Sequence, residues 1–285
     1  MVYYTQAGIS QYIQRLIGAL AEIDLENEYL ILQNWRDKSS LCLNHNFRRV
    51  SFISPAHHRL EQWLLRFELS PLNLDVLHSP DFIPPFRRNC KSVITVHDLA
   101  FLLYPHLLTE DGAHYYGQID QAVHHTDHII AVSQNTKQDI IQLLGVPEDK
   151  ITVIYEAANP IYRPVEDEGE LQRVRQKYKI AGDFILFVST IEPRKNLPTL
   201  LRAFRQLLDD YKLEVRLVVA GRRGWLFDEV FALVQELNLA EHVHFLGRVP
   251  LEDLPPLYTA ASLFAYPSTY EGFGLPPLEA MACGT

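Results

Sequence analysis

An α/β fold of parallel sheets in two domains is what this sequence predicts, on three observations. Short apolar runs alternate with segments of helical spacing along the whole chain. The run Phe184-Ile185-Leu186-Phe187-Val188 is continuously apolar, the mark of a strand buried on both faces. With 285 residues, the chain is too long for most single domains, and its 47% apolar content can fill two cores.

Element by element, Ile9, Tyr12, Ile13, Leu16, Ile17 and Leu20 fall at helical spacing. Strands are expected at Glu28–Leu32, Val50–Ile53 and Val76–His78, with a helix over Leu60–Leu69. Strands at Val93–Val96 and Ile129–Val132 flank a helical Gly112–His125. A helix over Asp139–Leu144 stops at Gly145, and Ile151–Ile154 is a strand. Asn159-Pro160 followed by the acidic Glu166-Asp167-Glu168-Gly169-Glu170 is a break in composition, which predicts a first domain over 1–160, a linker over 161–180 and a second domain over 181–285. The second half reads as strand Phe184–Val188, helix Leu197–Leu208, strand Val215–Ala220, helix Asp228–Leu237 and strand Val243–Leu246. A short helix Leu251–Ala261, a strand Leu263–Tyr266 and a helical run Leu278–Cys283 complete it.

A net charge of −9 and a pI near 5.7 argue against nonspecific nucleic-acid binding. Cys42, Cys90 and Cys283 form neither a spaced metal set nor an even disulfide framework, which reads as a reduced, cytoplasmic setting. No run of about 18 apolar residues is present to span a membrane, and no signal peptide is visible.

The most informative segment is Glu271-Gly272-Phe273-Gly274-Leu275-Pro276-Pro277-Leu278-Glu279. Gly272 and Gly274 allow a tight turn and a close approach to a ligand. Free N–H groups where the following helix begins would face an anion such as phosphate. A carboxylate on either side suits a phosphorylated, hydroxyl-rich ligand, because carboxylates accept from hydroxyls. On spacing alone, a glycine loop that merely joins strand to helix explains the segment equally well.

Arg194 and Lys195 tip that balance. They are adjacent cations in the loop after the buried run Phe184–Val188, and open α/β sheets bind ligands at the carboxyl ends of their strands. Arg offers phosphate a planar fork and Lys a mobile point charge.

Taken in order, Glu192-Pro193-Arg194-Lys195-Asn196, Ala220-Gly221, Phe245-Leu246-Gly247 and Pro267-Ser268 through Glu279-Ala280-Met281-Ala282-Cys283-Gly284-Thr285 resemble the donor-binding half of group 1 glycosyltransferases. These are retaining GT-B enzymes related to glycogen and sucrose synthases. Glu271 and Glu279 match that family's paired glutamates, seven residues apart. The N-terminal half resembles the same family more loosely, through Gly8-Ile9-Ser10-Gln11-Tyr12, His78-Ser79-Pro80, Val93 through Leu99, Ile129 through Thr136 and Val153 through Pro160. The chain departs from the pattern at both ends. The strand before the glycine loop is nearly missing, and the chain stops at Cys283-Gly284-Thr285 in a helix-to-strand turn, so it reads as a fragment with an incomplete second domain.

The resemblance implies two Rossmann-like domains facing a cleft, the first on the acceptor side and the second binding the donor. It implies transfer of a hexose, mannose or glucose, from a nucleotide diphosphate sugar of the GDP-mannose or UDP-glucose type to a glycan or lipid-linked acceptor. Arg194 and Lys195 would neutralise the departing diphosphate. Glu271 would bind sugar hydroxyls near the anomeric centre, and His97 would contact the donor sugar. Backbone N–H groups of Gly272, Phe273, Gly274 and Leu275 would hold sugar and distal phosphate, Glu279 would accept from the ribose, and Gly8 would close from the opposite domain. No metal and no cofactor beyond the donor itself is implied. Closure of the domains would exclude water. A phosphorylase-like or epimerase-like enzyme of the same fold and an inactive remnant that binds nucleotide or a protein partner are the alternatives.

Other candidates carry less. His97 ends an apolar strand, where a bond to a nearby backbone carbonyl is the structural alternative to a role in the site. His124-His125-Thr126-Asp127-His128 looks metal-like, but it sits where a helix hands over to a strand, and its first three residues cannot share one helix face. Leu60–Phe67, preceded by His57-His58-Arg59, has features of a membrane-surface helix that would give peripheral contact at the inner face of a membrane. Its small, mixed charged face favours an ordinary domain helix.

Overall fold

The computed structural model describes residues 8–54, 61–105, 115–224 and 228–285. The chain divides into two units, one ending at Ile154 and the other beginning at Tyr155.

The first unit runs α1 (Gly8–Ile23), β1 (Tyr29–Asn34), β2 (Phe47–Phe52), α2 (Glu61–Leu69), β3 (Val76–Ser79), β4 (Lys91–Val96), α3 (Ala100–Leu103), α4 (Ile119–His125), β5 (His128–Ala131), α5 (Gln134–Leu144) and β6 (Ile151–Val153). Strands β3-β4-β5-β6 form a parallel sheet in chain order, and β1 and β2 form a separate parallel pair. Ile94, Val96, Ile129 and Ala131 are fully buried. Helix α5 is bounded by local chemistry: the Ser133 hydroxyl accepts from the Thr136 N–H at 3.0 Å, and Gly145 ends the helix in the left-handed conformation at φ 63°. In α2, Trp63 and Phe67 are exposed, while residues 57–59 ahead of it lie outside the described residues. Among the described residues no helix is long and apolar enough to cross a membrane.

The second unit runs α6 (Glu168–Lys177), β7 (Asp183–Val188), α7 (Leu197–Tyr211), β8 (Val215–Ala220), α8 (Asp228–Glu236), β9 (Val243–Gly247), α9 (Leu254–Ala260), β10 (Leu263–Phe264) and α10 (Leu275–Ala282). Its four parallel strands lie in the order β10-β7-β8-β9. Side chains alternate across this sheet with period two. Phe187, Leu217 and Val219 pack against Leu201 and Phe204 of α7 and Val230 and Val234 of α8. Phe184, Leu186 and Val218 face the other way, against Val174 of α6, Leu257 and Tyr258 of α9 and Ala280 of α10. Helices on both faces are why Phe184–Val188 in β7 and Leu217–Ala220 in β8 read as continuous apolar runs.

The expected linker over 161–180 is corrected here. Tyr162, Val174 and Ile180 are buried in the second unit's core, and α6 occupies half of the segment. Its acidic run is the first turn of a helix, where carboxylates favour the N-terminal dipole, with the Asp167 side chain accepting from the Gly169 N–H at 2.8 Å. The helix is tied down by Asp253, whose carboxylate is fully buried and meets Arg173 at 2.9 Å, Lys177 at 2.5 Å and the Tyr178 hydroxyl at 2.6 Å. The last helix also differs: α10 begins at Leu275, three residues before the expected Leu278, because prolines in a helix's first turn cost it nothing.

The turns after β7 and β8 are pressed together. Ser189 donates its N–H to Ala220 at 3.0 Å, and Gly221 donates to Gly247 at 2.8 Å. Gly221 adopts φ 151°, and a Cβ there would lie 1.7 Å from the Ser189 carbonyl oxygen. Gly221→Ala should therefore destabilise the protein by at least about 2 kcal/mol in denaturant unfolding, whereas Gly18→Ala, in open space on α1, should stabilise it by about 0.5–1 kcal/mol.

Burial works against ionisation of Asp253, but Lys177, Tyr178 and Arg173 outweigh it and hold its carboxyl below the ordinary 3.8. Its contribution to stability is complete above that value and is lost as pH falls through the lower folded value. Asp253→Asn should cost about 1–3 kcal/mol at pH 7, at the modest end because both cations are partly exposed, and the difference from the parent should shrink below about pH 4.

Candidate active site

Strand β7 lies between β8 and β10. From β7 the chain moves outward through β8 to β9, then returns to the other side of β7 to form β10. Strand order thus reverses between β7 and β10, and the loops leaving their carboxyl ends diverge there, the position where open α/β sheets bind ligands. Residues 189–196 form one loop and residues 265–274 the other.

The two loops are laced together. Arg194 and Lys195 sit in a 3₁₀ turn, Pro193–Lys195, closed by Asn196 in the left-handed conformation at φ 54°. The Arg194 carbonyl accepts from the Thr269 N–H at 3.0 Å and the Thr269 hydroxyl at 3.2 Å. The Asn196 amide donates to the Pro267 carbonyl at 3.1 Å.

Three of the expected site residues meet at this point. Lys195 Nζ lies 2.5 Å from Glu271 Oε1, and Arg194 Nη1 lies 3.6 Å from Glu271 Oε2. Arg194 also pairs with Glu192 at 3.3 Å, a carboxylate that is itself largely buried. Ser268 Oγ donates to Glu271 Oε1 at 2.5 Å, the Tyr266 hydroxyl donates to the same oxygen at 3.0 Å, and Lys195 donates to the Tyr266 oxygen at 3.2 Å. Burial opposes ionisation of Glu271, but Lys195 first and Arg194 second outweigh it, and its carboxyl is held below the ordinary range. Burial beside this carboxylate pushes the Tyr266 phenol up, so it stays protonated as a donor. Sequence reasoning missed Tyr266 as a partner of both groups. Its place two residues beyond β10, a two-residue strand that is not buried, gave no signal of that role.

The glycine turn follows. Gly274 stands at φ 98°, left-handed, and heads α10. Pro276 and Pro277 have no N–H, so the donors at this helix start come from the turn itself. The N–H groups of Phe273, Gly274 and Leu275 donate to no protein acceptor among the described residues. Gly272 beside them is buried.

Glu279, one turn into α10, has a different environment. Its Oε2 accepts from the fully buried Tyr258 hydroxyl at 3.0 Å. Burial raises its carboxyl above the ordinary 4.5, against the opposing pull of the Tyr258 and Tyr162 hydroxyls.

The other two expected residues belong to the first unit. His97 follows β4, and its Nε2–H donates to the Pro80 carbonyl at 3.0 Å, the structural alternative considered for it. The Tyr12 ring stands edge-on to the imidazole at 4.7 Å. Tyr12 and His78 both reach the Thr95 hydroxyl, at 3.3 and 2.9 Å. Gly8 opens α1 in open space, so no packing among the described residues requires a glycine there. The rings of His124 and His125 donate from Nδ1 to the carbonyls of Asp120 and Gln121 one turn back, and His128 bonds Thr152. Among the described residues no group of three or more His, Cys, Asp or Glu is arranged to hold a metal ion.

Comparison with known proteins identifies the family. The family model for glycosyl transferases group 1 matches residues 171–285, and that for glycosyltransferase family 4 matches residues 7–160. O-antigen chain mannosyltransferase B of Escherichia coli is 36% identical over 99% of this chain and 78% of its own length. Among solved structures, WaaG, a glycosyltransferase involved in lipopolysaccharide biosynthesis, superposes with TM-score 0.74 at 17% identity over 99% of this chain and 77% of its own. HepE of Anabaena, solved with UDP and glucose, gives 0.73 at 21% identity over 99% and 76%. The fold is GT-B, as the sequence motifs implied. With the cations at the end of β7 facing the first of the paired glutamates, and with both halves matched by family models, the chain belongs to the group 1 glycosyltransferases and is a sugar-transferring enzyme.

Proposed function

We propose that this protein is a retaining mannosyltransferase that takes mannose from GDP-mannose and adds it to a growing glycan or lipid-linked saccharide. The convergence of Arg194, Lys195 and Glu271 at the β7/β10 crevice carries the reading. The mannosyltransferase relative, aligned over almost the whole chain, supports mannose as the sugar and a surface polysaccharide as the acceptor.

In this reading Arg194 and Lys195 meet the diphosphate as negative charge builds on it during departure. The N–H groups of Phe273, Gly274 and Leu275, together with Gly272, hold the distal phosphate and the sugar. Glu271, ionised, accepts from sugar hydroxyls and stabilises positive character at the anomeric carbon. Glu279 accepts from the ribose. His97 contacts the donor sugar and Gly8 gives room for its approach.

Calorimetric titration with GDP, UDP and ADP tests the donor, with GDP expected to bind most tightly, and release of GDP from GDP-mannose reports turnover. Arg194→Ala and Lys195→Ala should each lower kcat/KM by about 10²–10³-fold. Undiminished nucleotide binding in both variants, or no binding by the folded parent, would sink the assignment.

Glu279→Gln separates ligand contact from fold. The raised carboxyl means the folded chain holds this proton more tightly than the unfolded one, so the associated stability is present below pH 4.5 and is lost as pH rises through the folded value. The variant should melt higher than the parent at pH 7 and lose that gain below pH 4.5, while binding nucleotide more weakly.

A further inference from the structure

We propose that Tyr266 and Ser268 are positioning residues that take over Glu271 when Lys195 leaves it for the donor diphosphate. This rests on the donor-site reading given above. Without ligand, Lys195 is committed to Glu271 at 2.5 Å, so gripping a phosphate requires an exchange of partners.

The hydrogen-bond geometry favours that exchange. Glu271 Oε1 receives Lys195 at 2.5 Å, Ser268 at 2.5 Å and Tyr266 at 3.0 Å. A carboxylate oxygen has two lone pairs, so three donors leave it oversubscribed by one. Departure of the ammonium leaves two hydroxyl donors for two lone pairs. A buried carboxylate stripped of its cation is costly unless other donors hold it. The two hydroxyls, with Arg194 at 3.6 Å from Oε2, provide that hold. The charged and titratable groups around Glu271 are Lys195 and Arg194 from the turn after β7 and Tyr266 from the loop after β10, with Glu192 on the far side of Arg194. Lys195 and Tyr266 are linked directly at 3.2 Å, so the phenol also steadies the ammonium before it moves.

A double-mutant cycle read by calorimetric titration with GDP and with UDP tests this. Tyr266→Phe and Ser268→Ala should each weaken nucleoside diphosphate binding about five- to tenfold, because Lys195 is then costlier to withdraw from Glu271. In a Glu271→Gln background, where no carboxylate charge is left behind, each hydroxyl deletion should cost less than twofold. Ser268→Thr, which keeps the hydroxyl, should restore most of the loss from Ser268→Ala. Equal losses in both backgrounds mark a merely structural role and overturn the proposal, as does the absence of any loss. The ligand-free melting temperature of each variant identifies one that fails to fold, and the other hydroxyl then completes the cycle alone. If the folded parent binds neither nucleotide, the donor-site reading falls and this inference with it; binding with an additive cycle overturns this inference only.

Discussion

Strand β7 is the constraint on which the second unit depends. Its residues Phe184, Leu186 and Phe187 are fully buried, and neighbouring side chains serve opposite cores. A strand covered on both faces cannot slip by one residue without exchanging its two sets of partners. Its carboxyl end is therefore held in place, and the turn carrying Arg194 and Lys195 starts from a fixed point. Because β10 pairs with the same strand, at Leu263 with Ile185 and Phe264 with Leu186, the loop carrying Glu271 starts from the same reference. Precision at the crevice comes from sheet pairing, and the loops add only their final hydrogen bonds.

The two glutamates show how neighbours decide the state of chemically identical groups. Both are largely buried, and burial pushes both toward the neutral form. At Glu271 two cations reverse that push; at Glu279 two phenols do not. One short motif thus places two carboxyl groups in opposite electrostatic environments on either side of the glycine turn. Divergent environments for paired carboxyls are a recurring way to divide roles within a site.

Much of this architecture was legible in the sequence, for a physical reason. Parallel strands buried on both faces leave largely apolar runs, so Val215–Ala220 is read residue for residue despite the exposed Arg216, and Phe184–Val188 to within one. Strand β2 begins earlier than expected because Arg48 and Arg49 interrupt its apolar pattern. Helix α6 was hidden by its charge: only Val174 among its residues is buried, and its anchors lie on Asp253, almost eighty residues away. The candidate site divides the same way. Residues within the loops, such as Arg194, Lys195 and Glu271, carry local patterns that can be read directly. Tyr266, Ser268 and Tyr258 enter only through partners supplied by folding, which no spacing along the chain reveals.

The bonds from Thr269 to the Arg194 carbonyl and from Asn196 to the Pro267 carbonyl have a consequence for how such enzymes diversify. Two of the three run through side chains, and both acceptors are main-chain oxygens. A segment exchanged with a homologue at either loop alone would bring half of a matched set. The two loops are better regarded as a single inherited cassette, discontinuous in the gene yet continuous in space. Phe273 lies beyond these ties and can vary without breaking them.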